Sequence, residues 1–425
     1  MKKYSEMSAD ELKSALAELN KEYDDVKAKG LKLDMSRGKP SPAQLNVSNE
    51  MMNIIVSDSD MCTANGTDCR NYGGLDGIDE AKALMADLMG TKPENIIVGG
   101  NASLNLMYDC VASSMLFGVM GSTPWCKLDK VKFLCPVPGY DRHFSITELM
   151  GIEMINVPMT AEGPDMDIVE KLVSEDSSIK GIWCVPKYSN PQGVVYSDET
   201  VKRFANLKPA AKDFRIYWDN AYAIHYIYDS SIEIPDIISE CEKAGNPDMV
   251  YEFASTSKVS YAGGGISAVA SSKANLDWIK KRLTVQTISY DKLNQLRHAR
   301  YFKDAAGLKK QMEKHAEMLR PKFDAVIEIL DELKELGVGD FVKPMGGYFI
   351  CFESMEGCAK SIVAKCKEAG VVLTGAGAPF PYGKDPKDNI IRIAPSYPTP
   401  EELKQAAELF ALCVKIVSIE KLLAE

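Results

Sequence analysis

A chain of 425 residues is too long for one ordinary hydrophobic core, so two domains are expected. Its 45% hydrophobic and 26% charged content is that of a soluble globular protein, and no apolar run reaches the roughly 18 residues that would span a membrane. A net charge of -10 without a dense Lys/Arg block argues against nucleic acid as the main partner.

The first residues, MKKYSEMSADELK, place acids where a signal peptide needs its apolar region. Residues 8–29 are predicted to form a helix. Ser8 and Glu11 make a capping box, Leu12, Leu16, Leu19, Tyr23 and Val26 recur at helical spacing, and Gly30 ends it. The irregular passage LKLDMSRGKPSPAQLNV follows, and together they read equally as an arm packed on another domain or subunit and as a connector. From about residue 48, strand-length apolar runs at 96–98, 131–135, 153–157, 181–185, 215–218, 250–253 and 266–270 alternate with amphipathic stretches such as 78–89, 104–117 and 198–206. That alternation predicts an α/β fold with a mostly parallel seven-stranded sheet flanked by helices, the closely spaced last strands being free to pair antiparallel. A long charged helical segment, 293–336, follows with a break expected near Pro321. The remainder reads as a smaller α+β domain. The large domain is expected over 48–298, and the small one over 1–47 and 299–425.

The 11 cysteines are scattered, without C-x-x-C or a histidine pair at ligand spacing, which argues for reduced thiols in a cytoplasmic protein and against a zinc site. His143, His225, His298 and His315 are so far apart that a histidine-centred site would need long-range assembly.

Four polar motifs each follow a predicted strand. In YEFASTSKVSYAGGG, Lys258 stands after the hydroxyls of Ser255 and Ser257 and before a glycine run. An amine there could form a Schiff base, and the hydroxyls could hold a phosphate; the string alone reads equally as a surface lysine in a loop. In IIVGGNASLNLMYD a helix opens near Ala102 and Ser103, and its free N–H groups suit an anion. In CVPKYSNPQG, Asn190 belongs either to a plain turn or to a cleft as a hydrogen-bond donor. In RIYWDNAYAIHY, Asp219 ends a strongly apolar strand and Tyr222 follows; the carboxylate is either a helix cap or the counter-ion of a buried cation. Open α/β sheets collect ligands at the carboxyl ends of their strands, which is where all four lie.

The motifs in this order resemble the fold-type I aminotransferases that use pyridoxal 5'-phosphate, over nearly the whole chain from RGKP to IRIAPSYP. The nearest resemblance is to the bacterial aspartate aminotransferase subgroup related to MocR-type aminotransferase domains. The resemblance implies that Lys258 carries the cofactor and shuttles a proton, Asp219 pairs with the pyridinium nitrogen, and Asn190 and Tyr222 bond the phenolic oxygen. It implies Tyr140, in CPVPGYDRHF, as the stacking ring, and Ala102, Ser103, Ser255 and Ser257 as phosphate ligands. Tyr72 would reach the phosphate of a second subunit, so the protein is expected to be a homodimer with shared sites. Arg392 and the Gly38 backbone would hold the substrate carboxylate. Two positions depart from the family: Ile266 stands where many members place a phosphate-binding arginine, and no residue clearly recognises a distal carboxylate. Arg37, Lys39 and Arg142 are candidates for that role by chemistry alone.

The expected activity is ping-pong transamination from an L-amino acid, best read as L-aspartate, to 2-oxoglutarate. Aromatic or alanine donors, or lyase or decarboxylase chemistry, share Lys258, Asp219 and Asn190. Retention of Arg392 weighs against decarboxylation. A MocR-type effector domain would need a DNA-binding domain ahead of RGKP, which only about 35 residues precede.

Overall fold

The computed structural model describes residues 2–228 and 231–425. An eight-stranded sheet is built from β2 (Ile96–Val98), β3 (Lys132–Val137), β4 (Glu153–Thr160), β5 (Gly163–Pro164), β6 (Ile179–Cys184), β7 (Arg215–Asp219), β8 (Val250–Ser255) and β9 (Ser267–Ala270), in the spatial order β2-β9-β8-β7-β6-β3-β4-β5. β8, β7, β6, β3 and β4 run parallel, while β9 pairs antiparallel with both β8 and β2. All seven expected strands are present. The eighth, β5, is a two-residue antiparallel edge, too short to leave a pattern in the sequence.

Both faces of the sheet are covered, which is why its strands read as unbroken apolar runs. Trp183, Tyr217, Tyr251 and Phe253 project to one face, under α4 (Ser103–Phe117), α5 (Asp141–Leu149) and α9 (Lys273–Gln286). Ile182, Ile216, Trp218 and Val250 project to the other, under α3 (Asp79–Met89), α6 (Met166–Glu175), α7 (Asp198–Ala205) and α8 (Ile237–Lys243). Strand period sends neighbours to opposite sides, so Asp219 shares the face of Tyr217 whereas Glu252, paired with Trp218, faces away.

The N-terminal helix α1 (Ala9–Lys27) has the expected Ser8/Glu11 capping box. Its Tyr23 hydroxyl donates to Lys365 O (2.8 Å), at α12 (Ala359–Glu368), and the helix packs along α13 (Pro400–Ala424). It is therefore docked on the C-terminal part of the same chain. After it, β1 (Leu33–Asp34) pairs parallel with β12 (Val371–Val372), and a short helix α2 (Pro42–Asn46) leads toward the sheet. A three-stranded antiparallel sheet of β10 (Gly339–Phe341), β11 (Ile350–Ser354) and β13 (Ile390–Ile393) carries Arg392 on its last strand.

The expected helix break at Pro321 is not there. α10 (Lys292–Phe302) ends at Lys303, whose φ is 71°, and α11 (Ala305–Glu335) starts afresh where Asp304 accepts from Gly307 N at 3.0 Å. Pro321 lies inside α11. Its neighbour Lys322 donates to Ser396 O (2.9 Å) and Pro398 O (2.6 Å), and Leu319 and Phe323 are buried. Those tertiary contacts outweigh the roughly 3 kcal/mol that an internal proline costs an isolated helix.

Glu252 is almost fully buried, and burial, reinforced by Asp236, lifts its carboxyl from the ordinary 4.5 to about 8 despite a hydrogen bond from Asn220. The folded protein thus holds a proton there that the unfolded chain has released between these values. Stability from this group is present below pH 4.5 and is lost as pH rises through about 8. Urea titrations should show that fall in the parent and a flatter profile in Glu252→Gln; parallel profiles would refute the assignment.

Candidate active site

The carboxyl ends of β6, β7 and β8 deliver Asn190, Asp219 and Lys258 to one cleft. Asp219, the last residue of β7, is buried, and its Oδ2 lies 2.9 Å from His143 Nε2. His143, in the first turn of α5, is stacked on Trp183 with centroids 4.4 Å apart. Asp219 Oδ1 is buried with no hydrogen-bond partner among the described residues. A lone unsatisfied carboxylate oxygen costs on the order of 1–3 kcal/mol, and a donor cation placed against it would recover that.

Lys258 follows β8 in the turn that leads to β9. Its Nζ is 4.9 Å from the centroid of the Tyr222 ring, and Tyr348 OH approaches its carbonyl at 3.5 Å. Burial lowers the Lys258 pKa from its ordinary value, with the negative charge of Asp219 opposing the shift. Burial raises the phenol pKa of Tyr222 well above the usual value and that of Tyr140 to about 12, so both remain protonated donors. Tyr140 lies edge-on to His143, with centroids 4.9 Å apart.

The hydroxyl loop and the start of α4 meet as expected. Ser255 Oγ is 3.2 Å from Ser257 Oγ, and Ser257 Oγ donates to Asn101 O at 2.9 Å. Ala102 caps α4 with no side-chain bond to the first turn, so the N–H groups beginning at Ser103 stay available. Ile266 is buried, with its N–H on Thr256 Oγ1 (2.9 Å), so its side chain belongs to the core. Among the described residues, no lysine or arginine bonds the side chains of Ser255 or Ser257. The positive end of α4 and these hydroxyls are what the pocket offers an anion.

Arg392 enters from β13 and is buried. Nη1 donates to Asp141 Oδ1 (2.8 Å) and Asn190 Oδ1 (3.2 Å), while Nε and Nη2 point to Thr374 Oγ1 (3.4 and 3.3 Å). Its guanidinium lies 4.8 Å from the Phe349 ring centroid. Gly38 packs against the Cζ end of that ring: a Cβ at Gly38 would overlap it, so glycine lets the RGKP segment approach Phe349. Thr374 Oγ1 in turn donates to Ser36 O (2.7 Å), tying the segment down.

A family model described as aspartate amino-transferase matches residues 7–425. The chain belongs to that family. An aspartate aminotransferase of Corynebacterium glutamicum is 45% identical over 430 residues, covering 99% of each chain. A crystal structure of an aspartate transaminase from the same species superposes with a TM-score of 0.95, covering 98% of both chains at 45% identity. The α-aminoadipate aminotransferase LysN of Thermus thermophilus, solved with N-(5'-phosphopyridoxyl)-L-leucine, shares the fold at a TM-score of 0.74 and 20% identity, covering 93% of this chain and 95% of that one. The protein is a transaminase of fold-type I.

Within this aminotransferase, Lys258, Asp219, Tyr222, Asn190, Tyr140 and Arg392 surround one cleft. Tyr72 is not part of it: it is 81% exposed on its own chain. Arg37, Lys39 and Arg142 are all exposed, and Lys39 Nζ sits 3.8 Å over the Tyr397 ring. Sequence reasoning missed His143 and Asp141. Their signal was the spacing from Tyr140, which sets them on the first turn of one helix pointing back at the strand ends.

Proposed function

We propose that this transaminase uses pyridoxal 5'-phosphate bound at Lys258 to move the amino group of L-aspartate to 2-oxoglutarate. The observation that carries the reading is Asp219 Oδ1, a buried acceptor without a donor, beside an amine whose charge is disfavoured. The cofactor fits this set. It supplies an aldehyde that captures amines and a ring that takes up the electron pair left on a deprotonated carbon.

Each residue has a physical task in that chemistry. With the cofactor bound, Asp219 Oδ1 would accept the ring N–H and favour the protonated ring, while His143 holds the other oxygen still. Asn190 turns its oxygen to Arg392, which leaves the amide N–H₂ to donate toward the ring oxygen beside Tyr222 OH. Lys258 Nζ, whose charged form burial disfavours, would attach the cofactor and afterwards take the substrate Cα proton. Ser255, Ser257 and the α4 start, with Ala102 and Ser103, hold the phosphate. Tyr140 covers the ring, and Arg392 under the Gly38 segment grips and retains the substrate carboxylate, which favours transamination over loss of CO₂.

The same reading makes the protein a cytoplasmic homodimer in which Tyr72 serves the partner's phosphate, and divides the chain into a large domain, 48–298, and a small one from the remainder. The exposure of Tyr72, and of Val285 and Ile288 just ahead of Lys292, whose Nζ holds the Tyr72 loop at Asn71 O and Gly73 O, supports a covering second copy. The eleven unpaired cysteines support a reducing compartment.

Borohydride reduction followed by peptide mapping should place the cofactor on Lys258, and L-aspartate should discharge the bound cofactor in a half-reaction that 2-oxoglutarate reverses. Label on another lysine would overturn the site; inert aspartate and glutamate beside reactive alanine or aromatic donors would overturn the substrate. For the shared site, mixing inactive Lys258→Ala with Tyr72→Ala protomers should restore activity above that of either parent, because one hybrid site then has both groups. No gain would show that Tyr72 does not serve the partner's site.

A further inference from the structure

The environment of Arg392 contains an anion that the reaction does not call for. A guanidinium has five N–H groups. Both on Nη1 are engaged, by Asp141 Oδ1 at 2.8 Å and Asn190 Oδ1 at 3.2 Å. Thr374 Oγ1 takes Nε and one of the Nη2 pair, at 3.4 and 3.3 Å. One N–H is left, and a bidentate carboxylate needs two in parallel. Binding a substrate carboxylate on the fork therefore requires that one present partner let go.

The three partners differ in how easily they can. Thr374 is pinned by its own bond to Ser36 O at 2.7 Å, and Asn190 is buried. Asp141 has a side chain that is 33% exposed against 8% for the arginine, and it competes with the incoming group in kind, carboxylate for carboxylate. It also stands in the first turn of α5, where a released carboxylate faces both solvent and the positive end of the helix.

We propose that Asp141 is a displaceable internal counter-ion: it occupies the carboxylate-binding edge of Arg392 in the free enzyme and yields it to the substrate. The proposal rests on reading Arg392 as the carboxylate anchor. Asp141 keeps the buried guanidinium compensated between turnovers, and it sets a threshold for entry. An anion that only replaces Asp141 gains little from the exchange. A ligand with a second anchoring group elsewhere in the cleft retains the surplus, so the exchange discriminates against simple carboxylates and inorganic anions.

The test is calorimetric titration of the cofactor-loaded enzyme with acetate and with succinate, neither of which can react. Asp141→Asn should bind both more tightly, acetate by about five- to tenfold, since a charge-assisted competitor has been removed. Asp141→Ser keeps a small polar residue in the helix turn and should behave alike, so either folded variant decides the matter. Unchanged or weaker binding would overturn the proposal. Arg392→Ala separates the two readings. Loss of succinate binding there with unchanged affinity at Asp141→Asn sinks the counter-ion alone, whereas undiminished binding at Arg392→Ala sinks the anchor and the counter-ion with it.

Discussion

Asp219 ends the central strand β7 with one carboxylate oxygen held by His143 and the other buried and unmatched. The rest of the cleft is arranged about that incomplete pair. The parallel strands β6, β7 and β8 bring Asn190, Asp219 and Lys258 to the same sheet edge, and the alternation of side chains along β7 decides that Asp219 faces α5. One residue earlier, the same strand period sends Trp218 and its neighbour Glu252 to the opposite face, where a carboxyl group settles as a neutral acid. Two acids on adjacent strands thus meet different surroundings, and burial on the far face raises the Glu252 carboxyl to about 8.

The side of the cleft formed by Ser255, Ser257 and the start of α4 is made with few formal charges. Ile266 is committed to the core, and the loop offers hydroxyls and the amide end of α4. Lys258 stands three residues beyond the end of β8, and burial makes its charge expensive. The Arg392 side is built differently, with a buried arginine that has four of its five N–H groups on protein partners and a glycine that lets a segment pack on Phe349.

Much of the fold could be read in the sequence because its signals are local. Strands covered on both faces appear as unbroken apolar runs, and helices announce themselves through caps such as Ser8 and Glu11. The strand-end positions of Asn190, Asp219 and Lys258 follow from that reading, so the candidate chemistry was legible too. What escaped depends on distance. The pairing of Asp141 with Arg392 joins residues 251 apart, and His143 gains meaning only once Asp219 lies beside it. Pro321 misled because a local breaker was overruled by contacts of Lys322 with residues near 397, while the actual break came from the left-handed Lys303. β5 escaped because two residues carry no period.

The central claim is that the unpaired oxygen of Asp219 is there to hold a proton on a ring nitrogen. Reconstitution with cofactor labelled with ¹⁵N in the ring measures this directly by NMR. The account predicts a protonated ring nitrogen at neutral pH that becomes unprotonated in Asp219→Asn. An unprotonated nitrogen in the parent enzyme, or a shift that the substitution leaves unmoved, would contradict it.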